Sequence, residues 1–419
     1  MPFNSFSTLL MRRIILVFLV LLSGLVIHLL TRPPKPEGPD LLIISIDGLS
    51  NANLLTHGKI SSTRLRQLAE RGVFFRNCTV ESPSTLTTHA TLWSGLSSNI
   101  HGVGGPENRM STRIPLLAEP FLRRGYRTAA FLTSPLLDST FGLDRGFEVH
   151  QNSYPLPKQL GQKRAETFSE ESPGRGGAEQ TVENVIRWLG TLSPSDRYFL
   201  GVHLGPGRNI SPKNPDPAFW ISRLDPLLGP IIDVLQSKNR LLNTRIVVIG
   251  TSGRHFSPQN PAQFLERSCV PLILAGFEIP QNSVRDEAIG TLDLAPTLLS
   301  RFGFPHVLPG RDLLARENDS TGILGNIPRG GTVLRLDRWG LIESPNNPDP
   351  EVYALALDRG HFLALPEVGG LSAEKLRRIG NQRRQELAIF REEHYPGLDS
   401  THPELGERLR TLRSIGYLR

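Results

Sequence analysis

The sequence predicts an α/β fold: an α/β/α sandwich around a doubly wound, mainly parallel sheet, with a small C-terminal α+β subdomain and an N-terminal transmembrane helix. Three observations carry this. Nearly unbroken apolar runs at Leu41–Ile46, Thr128–Leu132, Tyr198–His203, Arg245–Ile249 and Val270–Ala275 read as strands buried on both faces. Segments of helical periodicity alternate with them, which is the pattern of crossover units. A separate apolar run, residues 14–30, follows Met11-Arg12-Arg13 and precedes Thr31-Arg32-Pro33-Pro34-Lys35-Pro36.

Residues 14–30 are near the lower length limit for a spanning helix. The arginines before them keep residues 1–13 cytoplasmic. No small-x-small cleavage site follows, so the run reads as an uncleaved anchor, and a cleaved signal peptide would export the body equally. A Pro-rich linker, 31–39, leads to the α/β domain, 40–321. Within it Thr63–Arg71 reads as a helix with Leu65, Leu68 and Ala69 on one face and Gly72 as its C-cap. Ile114–Arg124 reads as a helix kinked at Pro120. Gln151–Gly177 is polar and rich in Gly and Pro, so it is expected as a surface loop. Ala178–Leu189 and Leu292–Phe302 read as helices, the second ended by Gly303. Beyond 322 the pattern changes. Thr332–Leu336, Tyr353–Leu357 and His361–Leu365 are expected to form a small antiparallel sheet. Basic helices near Ala373–Arg391 and Pro403–Ser414 close the region 322–419.

At 419 residues, 38% hydrophobic and 21% charged, the composition is that of an ordinary globular protein. The net charge of +7 comes mostly from arginines scattered through helices, with no dense basic run interleaved with aromatics, so nucleic acid is not an expected partner. Arg377, Arg378, Arg383 and Arg384 read as a solvated helix face or as contacts to anionic lipid. The two cysteines, Cys78 and Cys269, do not make a disulfide framework. Buried thiols and a single bridge both remain open.

The chemistry concentrates in two segments. Leu41–Ile46 delivers Asp47 to the C-terminal edge of a parallel sheet, where open α/β sheets bind their ligands. Ser82–Gly95 offers hydroxyls and an imidazole where a turn passes into a helix, whose N-terminus points N–H groups at an anion. An acid, a hydroxyl and an anion hole at one edge fit ester hydrolysis at phosphorus or sulfur.

Leu42–Asp47, Leu65–Phe75, Thr85–Gly95, Gly125–Phe131, Phe141–Phe147, Val270–Leu274, Asp293–Leu299 and Leu409–Leu418 together resemble the sulfatase family of the alkaline-phosphatase superfamily, in its bacterial membrane-anchored form. The resemblance implies an alkaline-phosphatase-like fold. It puts Thr85 at the nucleophile position and His89 where many sulfatases carry a supporting arginine. It also implies a divalent metal (Ca, Mg, Zn or Mn), with Asp47 as one ligand. Threonine cannot give the formylglycine aldehyde, although a metal-activated Thr85 alkoxide would attack phosphorus. The other ligands are replaced: the second acid is Gly48, His-x-x-Asp-Pro-His resembles His203 to Gly207 with glycine at 205 and 207, and Ser-Asp-His-Gly becomes Ser252-Gly253-Arg254. The pattern therefore leaves an incomplete metal site or none. Arg254, His255, His101 and His203 remain as contacts to an anion. Two readings follow. One is a non-catalytic or weakly active protein that binds an anionic ester or an envelope protein partner. The other is a metal-dependent hydrolase or transferase on a phosphate or sulfate ester, with Thr85 as nucleophile. Either is held at the membrane with its body periplasmic or extracellular.

Overall fold

The computed structural model describes residues 36–56, 59–153, 177–205, 217–252, 261–315, 322–327, 331–344, 347–356, 361–364 and 372–399, with helical pieces at 15–18, 22–23, 409–410 and 413. In chain order the main elements are β1 (Asp40–Asp47), α1 (Thr63–Glu70), β2 (Gly72–Thr79), α2 (Thr85–Ser94), α3 (Ala118–Arg123), β3 (Arg127–Leu132) and β4 (Val149–Asn152). They continue with α4 (Ala178–Thr191), β5 (Tyr198–Leu204), α5 (Pro217–Ser237), β6 (Thr244–Ser252), α6 (Pro261–Ser268) and β7 (Cys269–Gly276). The short strands β8 (Ser283–Arg285) and β9 (Ile289–Gly290) and the helix α7 (Leu294–Arg301) complete the large domain.

These strands form one nine-stranded sheet in the order β8-β2-β7-β6-β1-β5-β3-β4, with β9 continuing the β8 edge beside β2. Every strand runs parallel except β7, which is antiparallel to both β2 and β6. The sheet is therefore mainly parallel as expected, but Val270–Ala275 runs against the rest. β1 lies at the centre, between β5 and β6. Its side chains alternate between two cores. Leu41 and Ile43 pack with Leu86 and Ala90 of α2, while Leu42, Ile44 and Ile46 pack with Leu65, Val185 and Leu228 of α1, α4 and α5. Both sheet faces are covered, and this burial explains the continuous apolar runs.

Several sequence expectations need correction. The helix expected over Ile114–Arg124 begins at Ala118. Pro120 sits in its first turn, where a missing N–H costs nothing, so it makes no kink. Gly72 is the first residue of β2 and not a helix cap: a Cβ there would lie 2.0 Å from the Leu274 carbonyl oxygen. The long helix α5 escapes sequence reading because Pro226 and Pro230 lie inside it. Its Asp225 has a clear role, accepting the backbone N–H groups of Arg64 and Leu65 at 3.0 Å and so capping α1. Residues 151 and 152 belong to β4, while 154–176 of the expected loop lie outside the described residues. Cys78 and Cys269 are free and buried. They occupy adjacent register positions on β2 and β7, opposite Val270 and Thr79, so their side chains point to opposite faces and cannot bridge.

The C-terminal sheet is larger than the sequence pattern indicates. Five antiparallel strands follow one another in order: β10 (Ile323–Ile327), β11 (Gly331–Leu336), β12 (Trp339–Ser344), β13 (Asn347–Ala356) and β14 (His361–Ala364). The helix α8 (Ala373–His394) packs across it with Leu376 and Leu387 buried. Most of 403–414 lies outside the described residues. Among the described residues no helix is long and apolar enough to cross a membrane. Most of the expected anchor also lies outside them, and its pieces 15–18 and 22–23 are exposed helix.

Candidate functional site

The C-terminal ends of β1, β5 and β6 bring Asp47, His203 and Thr251 to one edge of the sheet. Ser45 and Asp47 share the β1 face that looks toward α2, as residues two apart on a strand do. The helix α2 starts there because Ser84 adopts an extended conformation and accepts the Thr87 N–H, while Gly95 closes the other end at φ +69°. Thr85 is therefore the first helical residue and not the cap. It is only 8% exposed. Its hydroxyl lies 3.4 Å from Asp47 Oδ1, and the Thr251 hydroxyl lies 3.2 Å from the same oxygen. One carboxylate thus receives two hydroxyl donors at a helix N-terminus, where the macrodipole favours negative charge.

Beneath this edge lies a chain of hydrogen bonds that assigns its own tautomers. His89 Nδ1 is 2.7 Å from the carbonyl oxygen of Thr85. A carbonyl only accepts, so this nitrogen carries the proton and Nε2 is the acceptor. Ser45 Oγ, 2.8 Å from Nε2, donates to it. The same Oγ then accepts from His203 Nδ1 at 3.1 Å, a contact that the register of β1 and β5 provides by placing Ser45 beside His203. The two imidazoles meet edge to face with centroids 4.9 Å apart. His203 Nε2 is left as a bare acceptor, buried and without a hydrogen-bond partner. A Cβ at Gly205 would lie 3.5 Å from it. Burial, aided for His89 by the neighbouring His203, lowers both imidazoles to a pKa of about 3. Both rings are neutral at ordinary pH.

The structure does not bring all the expected residues together. His101 is fully buried, accepting the Val103 N–H at Nδ1 (3.0 Å) and contacting the Thr91 hydroxyl through Nε2 (3.1 Å), so both its ring nitrogens are engaged locally. Burial lowers it also to about 3. Arg254 and His255 lie outside the described residues, as do Gly207 and Gly253. Sequence reading missed Ser45, Thr251 and Thr133. Thr133 accepts the Gly205 N–H at 2.5 Å and donates to the His203 carbonyl at 2.9 Å, holding the end of β5. The one available signal was Ser45 itself, a hydroxyl inside an otherwise apolar strand.

The described residues do not fit a divalent ion. Asp47 Oδ1 is met, among the described residues, by the Thr85 and Thr251 hydroxyls, and both nitrogens of His89 are engaged by Thr85 and Ser45. Among the described residues no group of three or more His, Cys, Asp or Glu could hold a metal, whereas such ions need several converging donors.

No known family model matches the sequence, and no curated protein matches it. Solved structures do match. The phosphonate monoester hydrolase of Agrobacterium radiobacter superposes with a TM-score of 0.64 at 16% identity, covering 84% of this chain and 96% of that one. A 2-O GAG sulfatase gives 0.62 at 18% identity over 88% and 96% of the two chains. The phosphonate monoester hydrolase of Silicibacter pomeroyi gives 0.58 at 15% over 87% and 98%. At these identities the likeness establishes the fold alone. The chain has the mixed α/β architecture of the sulfatases and phosphonate monoester hydrolases of the alkaline phosphatase superfamily.

Proposed function

We infer that this chain is a membrane-anchored, sulfatase-like protein that retains the ester pocket of its fold for binding and does not perform metal-dependent hydrolysis. The observation that carries this reading is Asp47. It stands at the sheet edge with two threonine hydroxyls on one oxygen and two neutral imidazoles below, and among the described residues no group of three or more His, Cys, Asp or Glu gathers around it to hold a divalent ion. An unassisted threonine hydroxyl is a weak nucleophile. In this reading Arg254, which follows Ser252 at the end of β6 by two residues in the sequence, is the residue assigned to supply the positive charge that an anionic ester requires next to a carboxylate.

A second reading draws on the Thr85–Asp47 contact itself. In it Asp47 accepts the Thr85 proton while Oγ1 attacks phosphorus, the P–O bond to the ester's alcohol breaks, and the departing oxygen takes up a proton from water, with the N-terminus of α2 receiving the charge that develops on the phosphoryl oxygens. One experiment separates the two. The full chain is purified in detergent, its divalent metal is measured, and turnover of aryl phosphate and sulfate esters is compared with Thr85→Ala. The binding reading expects substoichiometric metal and no turnover that depends on Thr85. It also expects an anionic ester to raise the melting temperature, and Arg254→Gln to abolish that rise. Stoichiometric metal with turnover lost in Thr85→Ala overturns it in favour of the hydrolase.

A further inference from the structure

The edge of the sheet opposite the candidate site carries a second set of features that neither reading uses. Here β1, β2, β3, β5 and β6 begin and β7 ends. Leu242, in the short turn before β6, is 89% exposed, and Leu122, at the end of α3, is 38% exposed. Leu242 stands at a cleft of about 570 Å³ lined also by Leu68, Leu241, Phe277 and Arg71. Arg127, Arg240 and Arg245 at this edge are matched by Glu148, Asp40 and Glu278. Arg71, Arg123, Arg197 and Lys238 at this edge carry no salt bridge to an acid within 4 Å among the described residues, Lys238 donating instead to the Gly190 carbonyl at 3.3 Å and Arg197 acting on Asp40 through space, and they outnumber the nearby Glu37, Glu70 and Asp196.

The chain enters β1 at this same edge. The Tyr126 hydroxyl pins the entry by contacting the carbonyl oxygens of Glu37 and Pro39, each at 3.2 Å. Residues 31–39 separate the apolar run from Asp40, and nine residues span at most about 30 Å even when fully extended. Four of them are prolines, which stiffen the segment. If residues 14–30 cross a bilayer, this edge lies within that reach of its surface.

We propose that the N-terminal edge of the sheet docks on an anionic bilayer, with Leu242 entering the interface and Arg71 and Lys238 facing the lipid phosphates. The inference rests on the anchored reading above. A bilayer fits better than a free anion, because exposed leucines beside basic residues that no carboxylate neutralises suit a surface that is apolar below and charged above. Docking there turns the Asp47 edge away from the membrane, toward ligands in the surrounding space.

The test uses the full chain reconstituted in vesicles of phosphatidylcholine, with and without phosphatidylglycerol. A fluorophore is attached at Leu242→Cys or, at the opposite edge, at Glu107→Cys, since the native thiols are buried. Quenching by a headgroup nitroxide lipid is expected to be strong at 242, weak at 107, and stronger at 242 when phosphatidylglycerol is present. Adding Arg71→Gln and Lys238→Gln is expected to weaken docking roughly fivefold per charge without changing position 107. Vesicle-bound chain with equal quenching at the two positions overturns docking and leaves the anchor standing. Chain that remains in the supernatant overturns both.

Discussion

Ser45 does more at residue scale than its place in an apolar strand indicates. It donates to His89 and accepts from His203, so a single hydroxyl orders two buried imidazoles. Ser45→Ala removes both bonds and leaves two ring nitrogens buried without partners. The expected loss is about 1–3 kcal/mol of stability, read as a lower denaturant midpoint at unchanged slope. Arg335 is a second case. This guanidinium is fully buried, donates to Asn77 Oδ1 and to the Asp337 carbonyl, and ties β11 of the small sheet to β2 of the large one. Burial lowers its pKa to about 10, so it remains charged.

The candidate edge depends, at element scale, on β1 and β6 approaching closely. Their register shifts between Ile46 and Asp47, so that Ile46 opposes Gly250 while Asp47 opposes Ser252. A Cβ at Gly250 would lie 2.0 Å from the Leu49 carbonyl oxygen. Gly250→Ala is therefore expected to push β6 from the segment after β1 and to part Thr251 from Asp47. A cost of roughly 1–3 kcal/mol follows, and the ester-induced rise in melting temperature should weaken with it. A thermal shift of the free protein no larger than that of an exposed Gly190→Ala control would contradict this account. Gly190 has open space around its Cβ position.

Buried titratable groups set the pH dependence of the whole molecule. His89, His101 and His203 are lowered to about 3 by burial, while in the unfolded chain imidazoles titrate near 6.5. Below about pH 6.5 only the unfolded chain takes up these protons, so stability falls as the pH drops toward 3. Glu81 opposes this trend. Its carboxyl accepts the Ser98 N–H at 2.7 Å and is raised to about 8, chiefly by burial. The unfolded chain releases that proton near 4.5, so Glu81 erodes stability as the pH rises from about 4.5 to 8. Three histidines outweigh one glutamate on the acid side, each group contributing at most about 1.4 kcal/mol per pH unit. A melting temperature that peaks near pH 6.5 is expected, and Glu81→Gln should flatten the alkaline limb and steepen the acid limb between about pH 4.5 and 6.5. A profile that peaks well below pH 5 would show that these histidines are not held neutral.

The sequence by itself determined the central strands β1, β3, β5 and β6, a turn passing into a helix within Ser82–Gly95, and the meeting of Asp47 with that helix at one sheet edge. Apolar runs, helical periodicity and caps are local signals that report burial directly. Only the tertiary structure decided the rest. The direction of β7 depends on its partners β2 and β6, and α5 holds its helix through Pro226 and Pro230 by packing. The Ser45–His89–His203 chain joins residues far apart in sequence through the register of β1 and β5, which no spacing encodes. The same register leaves His203 Nε2 bare beside Gly205 and brings the Thr85 and Thr251 hydroxyls to Asp47, because whether donors converge is a property of packed strands.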